Sequence, residues 1–201
     1  MKPPKLVIFA GANGSGKSTL TKFYRRKLET IGPILDPDAE ARLLNPNDVH
    51  KAAIQAARNI LIRQKECLES GQSFALETTL AGHGNLELMR NAKSRGWVVK
   101  LVYVGLGDAK RNIQRVQQRV QNGGHDVPIE DIKRRFERSM ANLPLATELA
   151  DSFAVYDNSG LDMRRVLYVK NHEIRRCAST NGKTWWELAL EPYLKTLESR
   201  E

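Results

Sequence analysis

The stretch that decides the fold runs from Lys5 to Thr19 and reads KLVIFAGANGSGKST. Lys5–Ala10 is a short unbroken apolar run, the pattern of a strand buried on both faces of a parallel sheet. It leads straight into Gly11-Ala12-Asn13-Gly14-Ser15-Gly16-Lys17-Ser18-Thr19, which fits Gly-x4-Gly-Lys-Ser/Thr between a strand and a polar helix. The residue types state the chemistry. Gly11, Gly14 and Gly16 permit a tight turn that gathers successive backbone N–H groups around a phosphate. The helix opening near Lys17 points the positive end of its dipole at the same anion. Lys17 spans the β- and γ-phosphates of a nucleoside triphosphate, and the Ser18 hydroxyl completes a Mg²⁺ shell. Gly11 through Thr19 are therefore the expected ATP-binding segment, with Ser18 as the protein ligand of the metal.

Outward from this loop, strands and helices alternate. The first helix ends near Gly32, placed as a C-terminal cap. Pro33–Leu35 is a second short strand, and Val49, Ala53, Ala56, Ala57, Ile60, Leu61 and Leu68 recur at helical spacing over about 48–70. Ser73–Glu77, Val98–Val104 and Phe153–Tyr156 read as further strands, with a short helix over 85–95. Two helical arms, about 108–121 and 128–141, flank Asn122-Gly123-Gly124-His125-Asp126-Val127. Val166–Val169 and Ile174–Cys177 suggest a hairpin, followed by a helix over about 184–197. This alternation predicts an α/β three-layer sandwich with a parallel central sheet. A single domain over 1–201 is expected, with a helical lid excursion at 108–141 and a C-terminal hairpin plus helix.

Composition narrows the class. The chain of 201 residues is 41% hydrophobic and 27% charged, a globular balance that excludes a disordered tail. Its apolar runs fall far short of the ~20 residues of a membrane helix. Neither a secretory signal nor a disulfide framework is evident, with Cys67 and Cys177 the only cysteines, so the expected location is the cytoplasm. The net charge of +9 invites a polyanion or a small phosphorylated ligand. Seven Lys and Arg and no acid lie within residues 1–27. Aromatic residues are only 6% of the chain, too few for a base-stacking platform among the cations, so nucleic acid is not the expected partner.

Other residues indicate the use of the γ-phosphate. No Asn-Lys-x-Asp for guanine is present, and VVKLVYVGLG carries no terminal acid of the motor-ATPase kind. Asp36-Pro37-Asp38 ends the second strand, where carboxyl ends of neighbouring strands share one crevice. A carboxylate there can take the proton from a substrate hydroxyl during transfer, and Asp38, further from the strand, suits that role, with Asp36 on the substrate. The same tripeptide also makes a good turn or helix cap. Glu77-Thr78-Thr79 ends the third strand at the same crevice and can hold a polar substrate or waters around Mg²⁺, or cap a helix. On the arms, Arg111, Arg115 and Arg119 lie opposite the apolar stripe, as do Arg134, Arg135 and Arg138 on the second. Arg119 and Arg134, or its neighbour Arg135, are the candidates to neutralise the phosphoryl group as the lid excludes water.

These segments together, namely GANGSGKST, LDPDAEAR at 35–42, ALETT at 75–79, RVQQRVQNGGHDVP, RRFERSMANLP and ADSFAVYDNSG, resemble the zeta-toxin family of P-loop kinases, in its compact chromosomal branch. The resemblance spans about residues 5–170. It implies ATP-dependent phosphorylation of the 3′-hydroxyl of the N-acetylglucosamine in UDP-N-acetylglucosamine, with Asp38 as base. It further implies that Glu77 and Thr78 contact the sugar nucleotide, that Lys17 and Ser18 serve ATP and Mg²⁺, and that a separate antitoxin protein is a possible partner. Three alternatives stay open: a small-metabolite kinase of the gluconate or shikimate type, a nucleic-acid-binding or -phosphorylating P-loop protein, and an ATPase in which Asp38 positions water. Trp185-Trp186 should place one ring in the core and the other partly in solvent, and His172, Arg175 and Arg176 read as a solvated edge.

Overall fold

The structure is a computed structural model that describes residues 2–178 and 184–198. Leu6, Ile8 and Ala10 of strand β1 (Lys5–Ala10) face one side of the sheet, and Val7 and Phe9 the other; all five are buried. That two-sided burial is why the run is unbroken rather than alternating. β1 sits between β3 (Phe74–Thr78) and β4 (Val98–Gly105), with β2 (Ile34–Leu35) outside β3 and β5 (Ser152–Asp157) outside β4, all parallel. β6 (Arg164–Lys170) and β7 (Glu173–Cys177) add antiparallel strands, giving the order β2-β3-β1-β4-β5-β6-β7. Asn171 and His172, both with positive φ, form the tight turn between those last two strands. His172 and Arg175 are exposed there, while the side chains of Arg176 and Cys177 lie outside the described residues.

The layers are unequal. Helix α1 (Lys17–Glu29) covers one face through Leu20 and Leu28. The other face carries α3 (Val49–Ser70), α4 (His83–Ser94), α6 (Ile129–Leu149) and α7 (Trp185–Glu198), whose Ile60, Met89, Leu143 and Trp186 join the main core. Helix α5 (Ala109–Gln121) and the start of α6 instead share a small core of their own, built from Val116, Val127 and Ile132. No helix among the described residues is long and apolar enough to cross a membrane.

Two elements depart from the sequence reading. Asp36-Pro37-Asp38 opens a helix, α2 (Pro37–Leu44), that the periodicity did not indicate; Asp36 Oδ1 caps it by accepting the N–H of Asp38 at 2.9 Å. The second arm does not stop near 141 but continues through Pro144 to Leu149. Asn142, Leu143, Ala146 and Thr147 are buried there, so packing outweighs the lost hydrogen bond of the proline.

The parallel strands turn the loops after β1, β2, β3, β4 and β5 toward one edge. α6 braces that edge. Leu80, buried and held at φ 61 just beyond β3, donates its N–H to Thr78 Oγ1 while its carbonyl accepts the buried amide of Asn142 at 2.9 Å. Asn142→Ala strands that carbonyl, and unfolding in urea should show a loss of about 1–3 kcal/mol at unchanged m-value. An unchanged midpoint would show that α6 does not brace the turn.

Candidate active site

The phosphate loop is shaped by its neighbours as much as by its glycines. Gly14 and Gly16 sit at φ +78 and +99, where a side chain is strained. A Cβ on Gly14 would also lie 2.6 Å from the Asn112 carbonyl, and one on Gly16 2.4 Å from Asn158 Nδ2. Those two asparagines hold the loop from outside. Asn112 Nδ2 donates to the Asn13 carbonyl at 2.6 Å, and Asn158 Nδ2 to the Ser15 carbonyl at 2.8 Å. With those two carbonyls engaged on the outside and the Ser15 N–H turned back on the Ala12 carbonyl at 3.1 Å, the remaining N–H groups of the loop are left for an anion.

Lys17 is buried and makes no ion pair among the described residues, so a cation stands at the loop without a bonded counter-charge. Ser15 Oγ is likewise buried with no hydrogen-bond partner among them. Both observations fit a phosphate ligand. Ser18 Oγ donates to Glu77 Oε1, and Glu77 is only 4% exposed. Burial raises the Glu77 carboxyl above its ordinary range, Lys17 opposes this and Asp36 reinforces it. A hydroxyl and a carboxylate are hard oxygen donors, the set that suits Mg²⁺ beside phosphate oxygens.

Asp38 lies at the meeting point of three hollows. The largest, about 680 Å³, is bounded by Gly16, Lys17, Ser18, Thr19, Arg115 and Asn158 on its phosphate-loop side. A smaller one, about 240 Å³, has Ala41, Ala53 and Ala57 for one wall, and Glu77, Thr78 and Arg135 among its polar groups. A third of about 450 Å³ runs past Arg42, His50 and His125. Asp36 borders the small cavity as well, while its carboxylate caps α2 and lies 3.9 Å from the Arg42 guanidinium. Thr78 Oγ1 is committed to the turn at Leu80 while still bordering the small cavity.

The arms place their arginines unequally. Arg119 donates to the His125 carbonyl at 2.6 Å and borders both the large cleft and the His50 cavity. Arg111 and Arg115 bond the Ser159 and Asn158 carbonyls, each at 2.7 Å. Arg134 does not reach the site: it is half-exposed and paired with Asp131 at 2.8 Å. Arg135, one residue and about 100° further round the helix, reaches Asn13 Oδ1 at 3.3 Å and lines the small cavity. His125 packs against His50 with ring centroids 4.4 Å apart and ring planes tilted by 51°. Burial first, then His50, lowers the His125 imidazole below its usual value, with Asp38 pulling the other way.

Sequence reasoning missed Asn112, Asn158, His50 and His125 as parts of the site. Asn112 left a signal, being a polar residue in line with Val116 and Val120 on the apolar side of its helix. Asn158 follows the fifth strand, where crevice residues gather.

Comparison with known proteins covers most of this machinery. An uncharacterized protein of Haemophilus influenzae is 32% identical over 132 residues, which is 66% of this chain and 92% of that one. Among solved structures, a chain of AvrRxo1-ORF1:AvrRxo1-ORF2 with sulphate ions superposes with a TM-score of 0.66 at 16% identity, over 94% of this chain and 64% of that chain. This chain thus spans less than two thirds of that relative. The same complex with ATP gives a TM-score of 0.65 at 16% identity, over 96% and 63%. A chain of the PezAT chromosomal toxin–antitoxin system of Streptococcus pneumoniae gives 0.58 at 14% identity, over 99% and 86%. At such identities the likeness establishes the fold, an α/β fold of the P-loop kinase type with a mostly parallel sheet. The AAA domain family matches residues 6–142, from β1 and the phosphate loop through Asp38 and Glu77 into the α5–α6 arm, and this chain belongs to that family.

Proposed function

We propose that this chain is an ATP-dependent small-molecule kinase that phosphorylates a hydroxyl of a nucleotide sugar, UDP-N-acetylglucosamine or a close relative. The observation that carries the reading is the position of Asp38, at the junction of the phosphate-loop cleft with two polar cavities. ATP lies in the large cleft, its phosphates on the loop and Lys17. The acceptor hydroxyl lies beside Asp38. Its oxygen bonds to the γ-phosphorus, its proton goes to the Asp38 carboxylate, and the bond from the γ-phosphorus to the bridging oxygen breaks to release ADP. Ser18, supported by Glu77, holds Mg²⁺, which when bound neutralises charge on the β- and γ-phosphates. Arg119 and Arg135 flank the transferring group from the α5–α6 arm, which acts as a lid over 108–141 of the single domain.

Cavity size supports an acceptor with a compact hydroxylated head and a longer remainder. The alanine-walled hollow of about 240 Å³ has room for a sugar ring, and the adjoining 450 Å³ past His50 and His125 has room for more. A free polyol of the gluconate or shikimate kind would fill only the first. The antitoxin of the PezAT system suggests a separate protein partner here as well, and a cytoplasmic location follows from the substrate.

Turnover of ATP and Mg²⁺ against UDP-sugars, free sugars, nucleosides and a DNA 5′-hydroxyl, read by mass spectrometry for an added phosphoryl group, tests the assignment. UDP-N-acetylglucosamine should gain one phosphoryl group; a free polyol as the sole product-former would replace the nucleotide-sugar reading. Asp38→Asn should lower transfer on the order of 10²- to 10⁴-fold and leave ATP binding intact. Arg135→Ala should reduce kcat more than Arg134→Ala; the reverse order would return Arg134 to the site.

Glu77 gives a pH test. Its carboxyl titrates higher folded than unfolded, so the folded chain binds more protons in that window and stability falls as pH rises through it. Glu77→Gln removes this cost and should raise Tm at pH 7, with the gain fading as the pH falls below the ordinary carboxylate range, where both states are protonated. A gain that persists in acid would assign the effect to packing instead.

A further inference from the structure

Helix α7 lies beyond the matched residues 6–142, yet its first residue reaches the carboxyl ends of β4 and β5. Trp185 lies over Gly105 and Gly107, so closely that a Cβ on Gly105 would come within 2.3 Å of the ring and one on Gly107 within 2.7 Å. Two glycines thus make a seat for one indole. The seat orients its N–H, which donates to Asp157 Oδ1 at 3.0 Å. The same carboxylate oxygen accepts the Ser159 N–H at 3.0 Å, fixing the backbone on both sides of Asn158. Asn158 is then held at its own N–H by the Gly105 carbonyl at 2.9 Å and at its carbonyl by Arg115 at 2.7 Å. Its amide is left aimed at the Ser15 carbonyl of the phosphate loop, 2.8 Å away.

We infer that Trp185 is a positioning residue for the nucleotide triphosphate, acting through Asp157 and Asn158 on the phosphate loop. The C-terminal helix thereby sets the affinity for ATP from outside the cleft. Core filling alone would not need the indole nitrogen: Trp186 next to it is 1% exposed and already serves the core. The inference rests on the reading of the large cleft as an ATP site.

A double-mutant cycle on the full chain tests it, with Mg²⁺ATP affinity measured by calorimetry for wild type, Trp185→Phe, Asn158→Ala and the pair. Phe keeps a ring over the glycines and removes only the donor. Trp185→Phe should weaken ATP about three- to tenfold, the worth of one net hydrogen bond. The pair should bind no more weakly than Asn158→Ala alone, because both changes break one path. A folded Trp185→Phe that binds ATP like wild type, or losses that simply add, would overturn the inference. Should Trp185→Phe not fold, Asp157→Ala enters the same cycle in its place, with Asp157→Asn, which keeps an acceptor oxygen, expected to restore affinity. Wild type that fails to bind ATP would overturn the reading of the cleft itself, and the inference with it.

Discussion

The phosphate loop keeps its turn because two of its carbonyls, those of Asn13 and Ser15, are engaged from outside by asparagines. Asn112 comes from α5 and Asn158 from the end of β5, and each bonds one carbonyl of the loop from outside. Close packing completes the clamp, since neither Gly14 nor Gly16 leaves room for a side chain against its asparagine. Everything else in the site is arranged around that fixed turn: Lys17 and Ser18 follow in the first turn of α1, Glu77 meets Ser18 from the neighbouring strand, and Arg135 meets Asn13 from α6. The clamp joins α5 to the sheet through the very segment that would bind substrate.

How much was legible follows from how local each signal is. The strand–loop–helix unit was legible because Lys5–Thr19 carries its whole pattern in one short stretch. The alternation of strands and helices gave the layers, but nothing in it specified that β1 lies between β3 and β4. Helix α2 was hidden because Asp-Pro-Asp serves equally as a turn and as a cap followed by proline at the first helical position. Only Ala39 to Leu44, strong helix formers, could have decided between them. The reach of α6 past Pro144 depends on burial, a tertiary quantity with no local trace. The clamp joins residues 99 and 143 positions apart, so its members were visible singly and never as a pair. The distinction between Arg134 and Arg135 turns on a single step of helical phase, below what an apolar stripe can resolve.

The charge balance finds a local explanation in the cleft. Lys17, Arg115, Arg119 and Arg135 surround it, while Asp36, Asp38 and the buried Glu77 are the acids beside them. A site so arranged is electrostatically incomplete until a polyanion enters, and entry relieves repulsion among groups the fold has already ordered. On the proposed reading, a triphosphate would meet cations already placed by their hydrogen bonds to Asn158, His125 and Asn13.

The small core shared by α5 and the start of α6 has a different consequence. Val116, Val127 and Ile132 pack with one another rather than with the residues beneath the sheet. Substitutions at the tip between these helices are therefore insulated from the foundation of the molecule. Over evolutionary time a descendant could rewrite His125 and Asp126, changing what borders the histidine-lined cavity, without renegotiating the central sheet. On the proposed reading, acceptor preference and foldability would be separate traits, inherited on separate sets of residues.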